Sequence, residues 1–121
     1  MFNTSTIDSI SKEYVEQINN IFADKLKKII LYGSYARGDF NEFSDIDVMI
    51  LVDMPDEEIK KKFDDVVDVK CGLDNKYDVF MSSIVKDMNH FNKLLSIVPF
   101  YQNINNEGVV WYGNWKQGRL C

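Results

Sequence analysis

Hydrophobic residues recur at helical spacing near the start of the chain and form short unbroken runs further along it. The first pattern predicts a helix from a Thr or Ser cap at positions 4–6 to about Phe22, because every third or fourth residue is apolar. Its core-facing residues are expected to be Ile7, Ile10, Tyr14, Ile18, Ile21 and Phe22. The apolar run 29–32 predicts a short strand ending at Gly33, after which 35–37 begin a short helix and 38–44 form a loop.

A longer hydrophobic run, 45–52, predicts a central strand, because both of its faces are apolar after two aspartates. A helix is expected after Pro55, since proline suits a first turn and the acidic residues 56–58 suit the positive helix end. Its buried stripe is expected to consist of Ile59, Phe63, Val66 and Val67. A turn at 72–76 and a strand at 77–81 are expected next. A helix capped by Ser82 or Ser83 should follow, with the apolar residues Ile84, Met88, Phe91, Leu94 and Leu95. A helical piece between Pro99 and Gly108 and a strand at 109–112 complete the predicted elements.

Composition narrows the class of protein. The chain is short enough for one domain, expected over 1–121 with a tail from about 113. Its content of 45% hydrophobic and 13% aromatic residues predicts that this domain buries a core. A net charge of −5 argues against charge-driven nucleic-acid binding, although a small basic pocket for a triphosphate is compatible with it. No membrane span or secretion signal is expected. Cys71 and Cys121 suggest free thiols of a cytoplasmic protein, with a disulfide as the alternative.

The pair Gly33-Ser34 lies between a predicted strand and a predicted helix. Glycine there lets the backbone approach a ligand or take a positive φ, and the start of a helix favours a phosphate. Ser34 adds a hydroxyl group, and Arg37 follows one turn later. A plain strand-to-helix turn with a solvated arginine is the alternative interpretation, and the commoner one for Gly-Ser alone.

Asp45 and Asp47 are two residues apart at the start of the second strand, so their side chains point the same way. Two carboxylates this close repel each other unless a cation lies between them, and Mg²⁺ takes oxygen ligands readily. A capping aspartate followed by a solvent-facing one is the alternative interpretation.

Asp78 lies between apolar residues of the predicted strand 77–81, where an aspartate is disfavoured. A strand neighbouring 45–52 would bring Asp78 to the same site, and three carboxylates could hold two metal ions for nucleotidyl transfer. An exposed carboxylate on an edge strand is the alternative.

Taken together, these residues resemble the minimal nucleotidyltransferase family of the DNA polymerase beta superfamily. The matching residues are Gly33-Ser34, Ala36-Arg37-Gly38, Ser44-Asp45-Ile46-Asp47-Val48 and Asp78, with ten residues between Ser34 and Asp45. The resemblance covers most of the chain, although from about Ser82 it extends only to the general layout. It implies an α/β (α+β) polymerase-beta-like nucleotidyltransferase fold, with a small mixed sheet and helices packed against it.

The resemblance also implies roles for these residues. Asp45 and Asp47 would bind Mg²⁺, with two ions expected, and Asp78 would complete the site and help to deprotonate an acceptor hydroxyl. Gly33 and Ser34 would hold the β- and γ-phosphates of ATP, with assistance from Arg37. The acceptor would attack the α-phosphorus and release pyrophosphate. Mn²⁺ remains an alternative metal, since it prefers similar oxygen ligands.

Stand-alone family members of this size resemble antitoxins encoded beside a small helical HEPN ribonuclease toxin. The resemblance therefore implies transfer of AMP to a tyrosine of that toxin, without a membrane or a direct nucleic-acid partner. One alternative is a binding module that neutralises its partner by contact. The other is a nucleotidyltransferase for a small molecule such as an aminoglycoside. Such enzymes usually carry an additional substrate-binding domain, for which this chain is not expected to have room unless a dimer mate or another subunit supplies it.

Overall fold

A computed structural model of the protein describes residues 4–41 and 44–113. In chain order the elements are α1 (Thr4–Phe22), a 3₁₀ turn (Ala23–Lys25), β1 (Leu26–Tyr32), α2 (Ser34–Arg37), β2 (Ile46–Val52), α3 (Asp56–Lys61), α4 (Phe63–Tyr77), β3 (Met81–Asp87), α5 (Met88–Leu94), α6 (Pro99–Glu107) and β4 (Val109–Tyr112). Within these ranges, no helix combines the length and apolarity needed to cross a membrane. The predicted tail after Gly113, including Cys121, lies outside the described residues.

The four strands form one mixed sheet in the order β3-β2-β1-β4. Strand β1 pairs antiparallel with β2 and with β4, whereas β2 pairs parallel with β3. The central strand predicted at 45–52 is β2, and all of its residues except Asp47 are buried. The predicted mixed α/β fold with a small sheet is therefore confirmed.

Helices cover both faces of this sheet. On one face, α1 and α4 enclose the larger core, which includes Tyr14, Ile18, Val48, Ile50 and Leu73. On the other face, α5 and α6 enclose a smaller core, made of Ile30, Met49, Leu51, Phe91, Tyr101 and Ile104. Because side chains alternate along a strand, Asp47 lies on the same face as Met49 and Leu51. The first carboxylate of β2 therefore faces the side of the sheet that α6 covers.

The turn predicted at 72–76 and the strand predicted at 77–81 are wrong. Helix α4 continues through Gly72 to Tyr77, and β3 begins only at Met81. The buried stripe Val66, Val69 and Leu73 outweighs the cost of one glycine, which is about 1 kcal/mol in a helix. The stripe expected earlier was also partly wrong, because Phe63 is 60% exposed.

The helix predicted to start at Ser82 or Ser83 also begins later. Both serines belong to β3, whose seven residues pair in parallel register with the whole of β2. The cap of α5 is Asp87, whose side chain accepts a hydrogen bond from the Asn89 N–H at 3.0 Å. Pairing along the mostly buried strand β2 thus prevails over the helical spacing of the apolar residues in this segment.

The connection from α4 to β3 is organised by Asp74. Its carboxylate accepts a hydrogen bond from the Met81 N–H at 2.8 Å and forms an ion pair with Lys70. Its backbone carbonyl accepts hydrogen bonds from the N–H groups of Asp78 and Val79. Asp78 has a φ of 55° and ends the helix in the left-handed conformation, which aspartate tolerates better than most residues.

Replacing Asp74 tests this connection. Asp74→Ala leaves the Met81 N–H and Lys70 without their acceptor, so we expect the free energy of unfolding to fall by about 1–3 kcal/mol in urea denaturation. Asp68→Ala, which changes an exposed carboxylate on the same helix, should alter it by less than about 0.5 kcal/mol. Equal effects of the two substitutions would contradict the role assigned to Asp74.

Candidate active site

The two halves of the sequence motif meet where β1 ends and β2 begins. Because these strands run antiparallel, Tyr32 is the pairing partner of Asp47. Gly33 follows Tyr32 directly, and Ser34 is the first residue of α2. Asp45, which is exposed, lies directly before β2. The predicted turn and the predicted pair of carboxylates therefore lie at one corner of the sheet.

Gly33 makes this close approach sterically feasible. Its backbone has a φ of 78° and a ψ of −154°, a combination that is essentially restricted to glycine. A Cβ atom at this position would overlap Oδ2 of Asp47. The Gly33 carbonyl accepts hydrogen bonds from the N–H groups of Ala36 and Arg37 at 3.1 Å, which fixes the single turn of α2. The carboxylate of Asp47 thus lies directly against the start of this turn.

The electrostatics of the corner favour a cation. The pKa of Asp47 lies above its ordinary value because the side chain is partly buried and because Asp45 repels its charge, while Arg37 opposes this shift. Burial and the charge of Asp47 also raise the pKa of the Tyr32 hydroxyl to about 12, so Tyr32 stays neutral near pH 7. A bound cation would compensate the repulsion between the two carboxylates.

Arg37 lies at the end of α2 and forms ion pairs with two acidic side chains. Its Nε atom is 3.3 Å from Oδ2 of Asp39, and its Nη1 atom is 3.6 Å from Oε1 of Glu107 in α6. The Arg37 side chain remains 45% exposed, so it is still accessible to an anion from solvent. Both ion pairs would compete with a phosphate for this guanidinium group.

A cavity of about 220 Å³ extends from the Gly33 turn to α6. It is lined by Tyr32, Gly33, Arg37, Phe100, Asn103, Ile104 and Glu107. The sequence predicts a helix in this segment but carries no sign that the helix borders the site. The four α6 residues have the spacing of one helix face, yet only the fold reveals that this face lies beside Tyr32, Gly33 and Arg37, which precede it by more than 60 positions.

Asp78 does not lie in a strand beside Asp45 and Asp47 as the sequence predicted. It caps α4 before β3 begins, and Ser82 instead is the β3 residue that pairs with Asp47. Across residues 4–41 and 44–113, no cluster of three or more His, Cys, Asp or Glu side chains could hold a metal ion. Two carboxylates still suit Mg²⁺, which proteins often bind through one or two carboxylates together with the phosphates of a substrate.

A comparison with protein families identifies the fold and the class of reaction. The family model described as "nucleotidyltransferase domain" matches residues 12–100, which include Gly33, Ser34, Arg37, Asp45 and Asp47. The chain belongs to the nucleotidyltransferase family. The residues that the family model matches thus include both the Gly33 turn and the two carboxylates that the fold places at one corner of the sheet.

Similar proteins agree with this membership. A Methanocaldococcus jannaschii protein, named as a candidate protein adenylyltransferase, is 41% identical over 101 residues, covering 84% of this nucleotidyltransferase and 93% of the relative. A crystal structure of a toxin–antitoxin with AMP-PNP shares the fold at a TM-score of 0.60 and 18% identity, covering 89% of this chain and 77% of that chain. A structure of a tri-AMPylated Shewanella oneidensis HEPN toxin with its MNT antitoxin has a TM-score of 0.53 and 15% identity, covering 91% and 75%.

Two glycine substitutions test the steric role of Gly33. Gly33→Ala introduces a Cβ that overlaps Asp47 and strains the backbone, so we expect a loss of about 1–3 kcal/mol in the free energy of unfolding and weaker Mg²⁺–ATP binding. Gly72→Ala, in the middle of α4 with open space around it, should instead stabilise the protein by about 0.5–1 kcal/mol. Urea denaturation and calorimetric titration measure both effects. A Gly33→Ala variant with unchanged stability and binding would remove Gly33 from the site.

Because the pKa of Asp47 is raised, replacing this carboxylate by a neutral amide should increase the thermal stability of the protein by an amount that depends on pH. Since the folded protein holds this proton more tightly than the unfolded chain, ionisation of Asp47 costs stability once the pH exceeds the ordinary value of 3.8, and the cost levels off above the raised pKa. Without metal, Asp47→Asn should therefore raise the Tm near pH 7, and this gain should disappear as the pH falls towards 3.8. Asp68→Asn controls for the change in net charge, and an equal rise in both variants would refute the prediction.

Proposed function

We propose that the protein is a Mg²⁺-dependent adenylyltransferase that acts as an antitoxin on a HEPN-type toxin. In this proposal it transfers AMP from ATP to a tyrosine hydroxyl of the toxin. The observation that carries the proposal is the contact between the Gly33 turn and Asp47. It supports a site in which a phosphate-binding turn lies beside a pair of carboxylates. The name of the M. jannaschii relative supports protein adenylylation, and the S. oneidensis complex of an AMPylated HEPN toxin with an MNT antitoxin supports the partner.

The chain's own residues would divide the work as follows. The turn at Gly33 and Ser34 would orient the β- and γ-phosphates, and Arg37 would balance their charge after exchanging one of its acidic partners. Asp45 and Asp47 would hold Mg²⁺, which when bound neutralises charge on the phosphates. The bond between the acceptor oxygen and the α-phosphorus forms as the bond from that phosphorus to the pyrophosphate oxygen breaks.

The proton of the acceptor hydroxyl must leave during this step. Asp78 remains our proposed participant in its removal, as the family resemblance implies. In the structure Asp78 is exposed and three residues before the strand that flanks Asp47.

A second candidate function is neutralisation of the partner by contact alone. Two exposed aromatic side chains favour it: Phe40 follows α2 and is 43% exposed, and Phe80 precedes β3 and is 55% exposed. The Phe80 carbonyl accepts a hydrogen bond from the N–H of Ile46, so Phe80 is held beside the first residue of β2. Aromatic side chains of this kind are common at the centre of protein interfaces.

Intact-protein mass spectrometry of a co-expressed HEPN-type partner separates the two functions. We expect whole AMP increments on the partner with the wild type and with Asp53→Asn, which changes an exposed carboxylate just beyond the other end of β2. We expect none with the double variant Asp45→Asn, Asp47→Asn. A partner that is neutralised but unmodified with the wild type and with the double variant alike would favour the contact mechanism. Asp78→Asn tolerates the same backbone, so retained modification in this variant would exclude Asp78 from proton removal.

A further inference from the structure

One face of α6 forms the wall of the cavity that faces the phosphate turn. Its lining residues are Phe100, Asn103, Ile104 and Glu107, and Tyr32 and Arg37 lie opposite. The cavity therefore continues from Gly33 and Arg37, where phosphates would bind, into a region with two aromatic rings and one amide. Such a change from charged to aromatic lining is suited to a ligand with an anionic end and a flat uncharged end.

Phe100 offers a surface for stacking. Its ring packs edge-on against Tyr32, with the centroids 5.6 Å apart and the planes at 83°, so the two rings form a corner. Although it is a large apolar side chain, Phe100 is still 43% exposed at the cavity. Since Tyr32 directly precedes Gly33, this aromatic corner is one residue from the turn. A base stacked on an aromatic side chain typically gains about 1–3 kcal/mol.

Asn103 offers a polar group that can distinguish bases. It follows Phe100 by three residues, and its exposed side chain lines the same cavity. An asparagine amide can donate and accept at once, which matches the N6 amino group and N7 of adenine. Guanine presents two acceptors at the corresponding positions, so it can satisfy only the donor half of this amide.

We propose that α6 forms the nucleobase subsite, in which Phe100 stacks on the adenine of ATP and Asn103 hydrogen-bonds to its edge. This inference rests on the proposed function, because it assigns the base to a nucleotide whose phosphates occupy the Gly33 turn. Glu107 forms an ion pair with Arg37 and lines the cavity beside α6. Its negative charge disfavours a phosphate next to α6, which supports an orientation with the phosphates at Gly33 and the base at α6.

Equilibrium titration with Mg²⁺ and three ligands tests the subsite: ATP, GTP and inorganic tripolyphosphate. The wild type should bind ATP more tightly than GTP. Phe100→Leu should weaken ATP and GTP binding by roughly tenfold, because stacking does not depend on the base. Asn103→Ala should weaken ATP binding by roughly tenfold and GTP binding much less. Both variants should bind tripolyphosphate as the wild type does, which also shows that they are folded.

Matched controls lie elsewhere on the surface. Asn106→Ala changes an exposed amide of α6 outside the cavity lining, and Phe63→Leu changes an exposed ring of α4. Neither should alter ATP binding. The subsite is overturned if Phe100→Leu and Asn103→Ala bind ATP as the wild type does, or if tripolyphosphate binding falls in parallel with ATP binding.

The two proposals fail in different ways. Binding of ATP that depends on Asn103, without AMP transfer to any toxin, would overturn the proposed function and support the base subsite. Transfer that persists with equal efficiency from ATP and GTP would overturn the role of Asn103 while leaving the nucleotidyl transfer intact.

Discussion

The close approach of the Asp47 carboxylate to the backbone of Gly33 is the contact on which the site depends. It requires the antiparallel pairing that sets Tyr32 beside Asp47, and it requires that residue 33 has no side chain. With any larger residue, the turn and the carboxylate would be forced apart, and the proposed phosphate and cation sites would no longer adjoin. A backbone conformation reserved for glycine is thus maintained where the chemistry needs it, consistent with the tendency of strained residues to cluster at functional sites.

The two faces of the sheet contribute differently to this site. The face under α1 and α4 holds the larger apolar core, and side chains such as Tyr14, Ile18 and Val48 are fully buried in it. The face under α5 and α6 holds a smaller core, and the open end of that face contains Asp47 and Tyr32. One layer is therefore filled by buried apolar side chains, while the other leaves a cavity beside the Gly33 turn. Helix α6 serves both purposes, because Ile104 packs in the core and Asn103 lines the cavity.

The sequence predicted well where a local signal and the tertiary structure agree. The turn at Gly33, the strand of Asp47 and the alternation of its apolar residues were predicted, because each depends on spacing within a few residues. The segment around Asp78 was predicted wrongly, because its apolar residues suggest a strand, whereas the buried stripe of α4 and the hydrogen bonds to Asp74 extend the helix to Tyr77. Contacts between residues far apart in the sequence were not predicted, because they depend on tertiary packing. The contact of Glu107 with Arg37 has no local signal and follows only from how α6 packs on the sheet.

The separation of these parts along the chain has a consequence for how the site assembles. Gly33 and Asp47 belong to consecutive strands joined by α2 and a short loop, so their contact closes a short stretch of chain. The contacts of α6 with the same corner close a much longer stretch of chain, and closing it carries a larger entropic cost. The corner that would hold phosphate and metal is therefore a low-contact-order structure, whereas the wall facing it is a high-contact-order one. Partial unfolding that released α6 alone would leave the corner assembled and open to water.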